Sequence, residues 1–131
     1  MSQHIISLIG NPNCGKTTLF NALTGSRQRV GNWPGVTVDK KTGNFSFEGH
    51  DIEVVDLPGI YSVTPTSVSG EDEIVARDYL LSGQAQVVVN IVDASNLERN
   101  LYLTSQLIEM HVPMIVVVNM LDIAKQHKIK L

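Results

Sequence analysis

Eight residues near the start of the chain, Gly10-Asn11-Pro12-Asn13-Cys14-Gly15-Lys16-Thr17, restrict its fold more than any other feature. They fit the pattern Gly, four variable residues, Gly, Lys, then Ser or Thr. The pattern lies between a short apolar run, residues 5–9, and a segment from 16 to 23 that carries Leu19, Phe20 and Leu23 at helical spacing. Strand, loop, helix is the setting in which such a loop wraps phosphate. Its glycines let the backbone N–H groups of residues 13–18 (Asn13, Cys14, Gly15, Lys16, Thr17, Thr18) face phosphate oxygens. Lys16 then reaches the β and γ phosphates, and the Thr17 hydroxyl can ligate magnesium. The competing reading is a Gly-rich turn capping an ordinary helix.

The rest of the chain supplies a matching scaffold. Residues 36–47 alternate as a half-buried strand, Glu48-Gly49-His50 turns, and 52–55 returns as its hairpin partner. Helices are expected over Glu71–Ser82 and 97–110, and buried strands over 87–92 and 114–118, with one more helix beginning at the end. Residues 26–36, polar and broken by Pro34, read as a long surface loop whose one aromatic is Trp33, and 57–70 as another loop. Strands alternating with helices, most of them continuous apolar runs, predict an α/β fold. Its sheet is mainly parallel with one antiparallel edge strand, and helices cover both faces. One domain over 1–131 suits a chain of 131 residues with 43% hydrophobic and 18% charged residues.

Charge and cysteine usage narrow the partners. A net charge of -3 with no block of Lys and Arg argues against nucleic acid or anionic lipid as a partner. The single cysteine, Cys14, permits no internal disulfide and fits a reducing compartment. No apolar run is long enough to cross a bilayer. The four histidines, His4, His50, His111 and His127, lack metal-ligand spacing.

Two further motifs follow in order, each after an apolar strand. In Asp56-Leu57-Pro58-Gly59 the carboxylate can hold magnesium while the Gly59 N–H meets the γ phosphate, although the same residues also suit a plain turn. In Asn119-Met120-Leu121-Asp122, which resembles the guanine-reading motif Asn-Lys-x-Asp, the Asp122 carboxylate can accept from guanine N1–H and its exocyclic amine. Adenine lacks that pair of donors. Met120 stands where the motif has Lys, losing a charge but keeping an unbranched stem for the base. Asp122 also fits the role of a charge at a helix N-terminus. Three motifs at strand C-terminal ends point jointly to GTP. Thr37, between the first two, stands where switch proteins carry a Thr that closes on magnesium and γ phosphate. An ordinary threonine at a strand start is the alternative.

With Gln28-Arg29-Val30-Gly31-Asn32-Trp33-Pro34-Gly35-Val36-Thr37-Val38, Asp56-Leu57-Pro58-Gly59-Ile60-Tyr61-Ser62 and Val92-Asp93-Ala94-Ser95-Asn96-Leu97-Glu98-Arg99-Asn100-Leu101, the chain resembles the G domain of the FeoB family over almost its whole length. The resemblance implies a P-loop GTPase on the cytoplasmic face of a bacterial inner membrane, whose hydrolysis of GTP to GDP supports ferrous-iron uptake by the transporter portion of the same protein. It also implies potassium beside the phosphates, ligated by Asn13 and by the backbone carbonyls of Gly31 and Trp33. A polar side chain bonding its own loop is the bland alternative for Asn13. Ile60 occupies the place of the glutamine that orients the attacking water in Ras-like proteins, so Lys16, Thr37, Asn13 and Gly59 are left to carry slow catalysis. Arg27 and Arg29 read as solvated loop charges and Cys14 as inert filler pointing from the loop. A nucleotide-sensing switch without useful turnover remains the second reading. An RNA-directed GTPase is disfavoured by the missing basic stripe.

Members of the family continue past the guanine motif with another strand, a closing helix and a helical regulatory domain, and none of these, nor a transmembrane domain, is present before Leu131. The exposed edge and uncovered sheet lead us to expect a homodimer or an exchange of segments between chains.

Overall fold

The computed structural model describes residues 3–63 and 70–119. Six strands form one sheet in the order β2-β3-β4-β1-β5-β6. They are β1 (Gln3–Gly10), β2 (Gln28–Asn32), β3 (Asp39–Phe47), β4 (His50–Asp56), β5 (Val87–Asp93) and β6 (Met114–Asn119). Between them run α1 (Lys16–Thr24), α2 (Glu71–Ser82) and α3 (Leu97–Glu109). β1 pairs in parallel with both β4 and β5, and β5 in parallel with β6. The β3–β4 and β2–β3 ladders are antiparallel.

Alternation along the central strands sends neighbouring residues to opposite faces, which is why two cores form. On one face Leu8, Val54 and Ile91 pack with Cys14 and with Phe20 of α1. On the other, Ile9, Val55 and Val88 pack with Ala76 and Tyr79 of α2 and Leu103 and Leu107 of α3. The expected helices on both faces are thus present. The connection from β1 leads toward the hairpin and that from β5 toward β6, so the adjacent carboxyl ends of β1 and β5 open a crevice.

Two expectations need correction. Residues 28–32, read as surface loop, form strand β2 and pair with 39–43 of β3, so one further strand lies outside the antiparallel strand β3. Trp33 is not a surface aromatic. The residue is 8% exposed, and its ring meets Tyr79 edge to face at 5.5 Å and has Lys40 Nζ 4.7 Å above it. Burying an indole releases more apolar area than the polar residues around it can oppose, so the aromatic overrode the hydrophilic composition of the segment. The hairpin, α2 and α3 otherwise fall within a few residues of their expected bounds.

Candidate functional site

The loop between β1 and α1 encloses a cavity of about 580 Å³ lined by Asn11, Pro12, Asn13, Gly15, Lys16, Thr17, Thr18, Gly59 and Asp72. Its shape follows from two left-handed residues, Asn13 at φ 66° and Gly15 at φ 95°. Asparagine tolerates this region better than most side chains, and glycine adopts it without a Cβ clash. Gly15 is the N-cap of α1 and no side chain caps that helix. Its first N–H groups therefore face the cavity mouth with the positive end of the helix dipole behind them, as anion binding requires.

Lys16 Nζ lies 2.5 Å from Asp56 Oδ1, and the two side chains are only 11% and 7% exposed. This pair joins the first motif to the second across 40 residues of sequence. Thr17 lines the cavity beside it. A hydroxyl and a carboxylate are hard oxygen donors, and together they fit magnesium. Gly59 sits directly against the phosphate loop: a Cβ placed on it meets Pro12 Cα at 3.1 Å.

The third motif is joined to the first by Asn119, whose Nδ2 donates to the Cys14 carbonyl at 3.1 Å. Met120 and Asp122 lie outside the described residues. Cys14 itself does not point out of the loop. Its side chain is 1% exposed in the core beneath, and its N–H donates back to the Asn11 carbonyl at 3.3 Å. Burial pushes its thiol up, against the lowering pull of Lys16, which agrees with an inert residue.

The other expected residues are held elsewhere. Thr37 is exposed, with Oγ1 3.5 Å from Glu71 Oε2 at the start of α2, and it is not part of the cavity lining. Of the expected potassium ligands, only Asn13 lines the cavity. Gly31 pairs with Lys40 in the β2–β3 ladder, and the Trp33 carbonyl accepts from Val36 at 3.3 Å. Asp72 and Asn11 were missed from the sequence. Asp72 had the signal of an acidic first turn opening α2, with Glu71 and Glu73 beside it, whereas Asn11 looked like one of the variable loop positions.

A family profile described as Ferrous iron transport protein B matches residues 4–131. The chain belongs to the FeoB family. It is 60% identical over 132 residues to the Fe(2+) transporter FeoB of Escherichia coli K12, covering all of this chain and 17% of that relative. The chain thus spans about a sixth of the length of the curated FeoB relatives it matches. Among solved structures, an S. thermophilus NFeoB variant bound to mGDP superposes with a TM-score of 0.90 at 54% identity, covering 98% of this chain and 48% of that one. The cytosolic domain of L. pneumophila FeoB gives 0.89 at 53%, covering 95% and 53%. The mixed, mainly parallel sheet described above is the fold of FeoB G domains.

Proposed function

We propose that this chain binds GTP with magnesium at the β1–α1 loop and hydrolyses it slowly to GDP and phosphate. The observation that carries the reading is the uncapped N-terminus of α1 opening on a cavity that contains Lys16, Thr17 and Gly59. The GDP and mGDP held by S. thermophilus NFeoB variants support it. Lys16 leaves Asp56 for the β and γ phosphates, and Thr17 and Asp56 would hold magnesium, whose charge would offset that developing on the phosphates. The Gly59 N–H donates to the γ phosphate. Thr37 completes the site only after leaving Glu71. Asn119, with Met120 and Asp122, reads guanine.

Slow turnover follows from Ile60, which is 1% exposed and has no polar group to orient water. Potassium at Asn13 is part of the proposal, with the carbonyls of Gly31 and Trp33 completing its shell. In the longer protein, this turnover supports ferrous-iron uptake from the cytoplasmic face of the inner membrane. Ile115, Val116 and Val118 of β6 are 43–55% exposed, which supports self-association of this chain through that strand. Among the described residues no helix is long and apolar enough to cross a membrane.

A second reading, nucleotide sensing without useful turnover, is favoured by the position of Thr37 on Glu71. Titration with fluorescent GDP and ADP tests the shared part: GDP binding at least about a hundredfold tighter than ADP is expected, because adenine lacks the donors that the Asp122 carboxylate would accept. Equal affinities contradict it.

A further inference from the structure

Asn11 is 3% exposed, yet it belongs to the lining of the phosphate cavity. Its Nδ2 donates to the Ile60 carbonyl at 3.0 Å. The Ile60 N–H in turn donates to the Gly10 carbonyl at 3.0 Å. Both backbone polar groups of the residue after Gly59 are therefore tied to the two residues that open the phosphate loop. The amide orientation is fixed chemically, because a carbonyl only accepts, so the NH2 group of Asn11 must face Ile60. Asn11 Oδ1 has no hydrogen-bond partner and is buried. An orphaned buried acceptor is unfavourable, so an amide here is a poor choice for packing alone.

We infer that Asn11 is a positioning residue: by clamping the Ile60 peptide to the phosphate loop, it sets where the Gly59 N–H meets the γ phosphate. Gly59 packs against the loop, since a Cβ built on it would lie 3.1–3.2 Å from Pro12 backbone atoms, and it is joined to Ile60 by the peptide bond, so small shifts of Ile60 move it directly. The clamp acts through the backbone and does not depend on the Ile60 side chain. It substitutes rigid placement of the donor for the water-orienting side chain that Ile60 cannot supply. GDP has no γ phosphate for Gly59 to meet, so the clamp discriminates GTP from GDP.

The inference rests on the proposed GTP site, and one titration separates the two. The affinities of a fluorescent GDP and of a fluorescent imido analogue of GTP, both with magnesium, are measured for the protein and for Asn11→Ala. Asn11→Ser, which leaves a smaller void, carries the same test if the alanine variant does not fold. Loss of one backbone clamp predicts GDP affinity within about twofold of the unaltered protein and GTP-analogue affinity lowered about tenfold. Single-turnover hydrolysis falls by at least the same factor. Equal loss of both nucleotides, or loss of neither, overturns the inference and leaves the proposed function standing. If the unaltered protein binds neither nucleotide, both fall.

Discussion

Lys16 and Asp56 are bonded to each other at 2.5 Å, so the cation proposed for phosphate and the carboxylate proposed for magnesium neutralise one another. Each is nearly buried, and under the proposed function each exchanges this partner for a ligand. Removing one charge leaves the other uncompensated, which for buried pairs costs about 3–5 kcal/mol. Asp56→Asn is therefore expected to lower the stability of nucleotide-free protein by about 3 kcal/mol, read by urea unfolding, since the new amide still accepts from Lys16. The same variant should bind magnesium-free GDP more tightly and gain little from magnesium. A variant as stable as the unaltered protein contradicts the pair's structural role.

Trp33 fastens the segment before β3 to α2, but its Nε1 is buried without an acceptor. Truncation to alanine removes the packing and is expected to destabilise by about 3 kcal/mol. Phenylalanine keeps most of the ring and discards the orphaned donor, so Trp33→Phe should fall within about 1 kcal/mol of the unaltered protein. Thermal unfolding of the two variants side by side checks the contrast.

Asn90 and Thr104 join β5 to α3 inside the core, with Thr104 Oγ1 donating to Asn90 Oδ1 at 2.5 Å and Asn90 Nδ2 donating to the Ile9 carbonyl at 3.3 Å. Thr104→Val keeps the shape and strands the Asn90 oxygen. A loss of about 1–3 kcal/mol is expected. A double variant with Asn90→Leu should lose less than the sum of the single changes, as a double-mutant cycle would report.

Burial pushes the Tyr79 phenol up to about 12, with Glu53 adding to the effect. Above the ordinary value of 10.0 the unfolded chain releases this proton while the folded protein retains it. The folded state then binds more protons, so the stability Tyr79 contributes is full below pH 10 and is lost as pH rises toward 12. Tyr79→Phe should flatten that part of the stability profile, measured by urea midpoints across the range.

Much of this was legible in the sequence because the informative features are local. The phosphate loop, the hairpin turn and the apolar runs of β1, β5 and β6 each declare themselves within a dozen residues, and they lie where their periodicity places them. Strand β2 did not, because its stability comes from β3 and from the burial of Trp33 against a helix nearly fifty residues later, not from its own alternation. Thr37 was expected to close on magnesium and the γ phosphate, whereas its contact with Glu71 depends on where α2 begins in space. Asn11 was hidden for a similar reason: its partner, Ile60, is 49 residues away. A variable position in a phosphate loop gives no sign of which segment it will meet.

The most direct test of the central claim is single-turnover GTP hydrolysis, compared in potassium and sodium buffers, with Asn13→Ala alongside. Slow conversion of GTP to GDP that is faster in potassium, with the potassium gain lost in the variant, is the predicted result. GTP bound but unhydrolysed in either salt would contradict the catalytic account and leave a nucleotide sensor in its place.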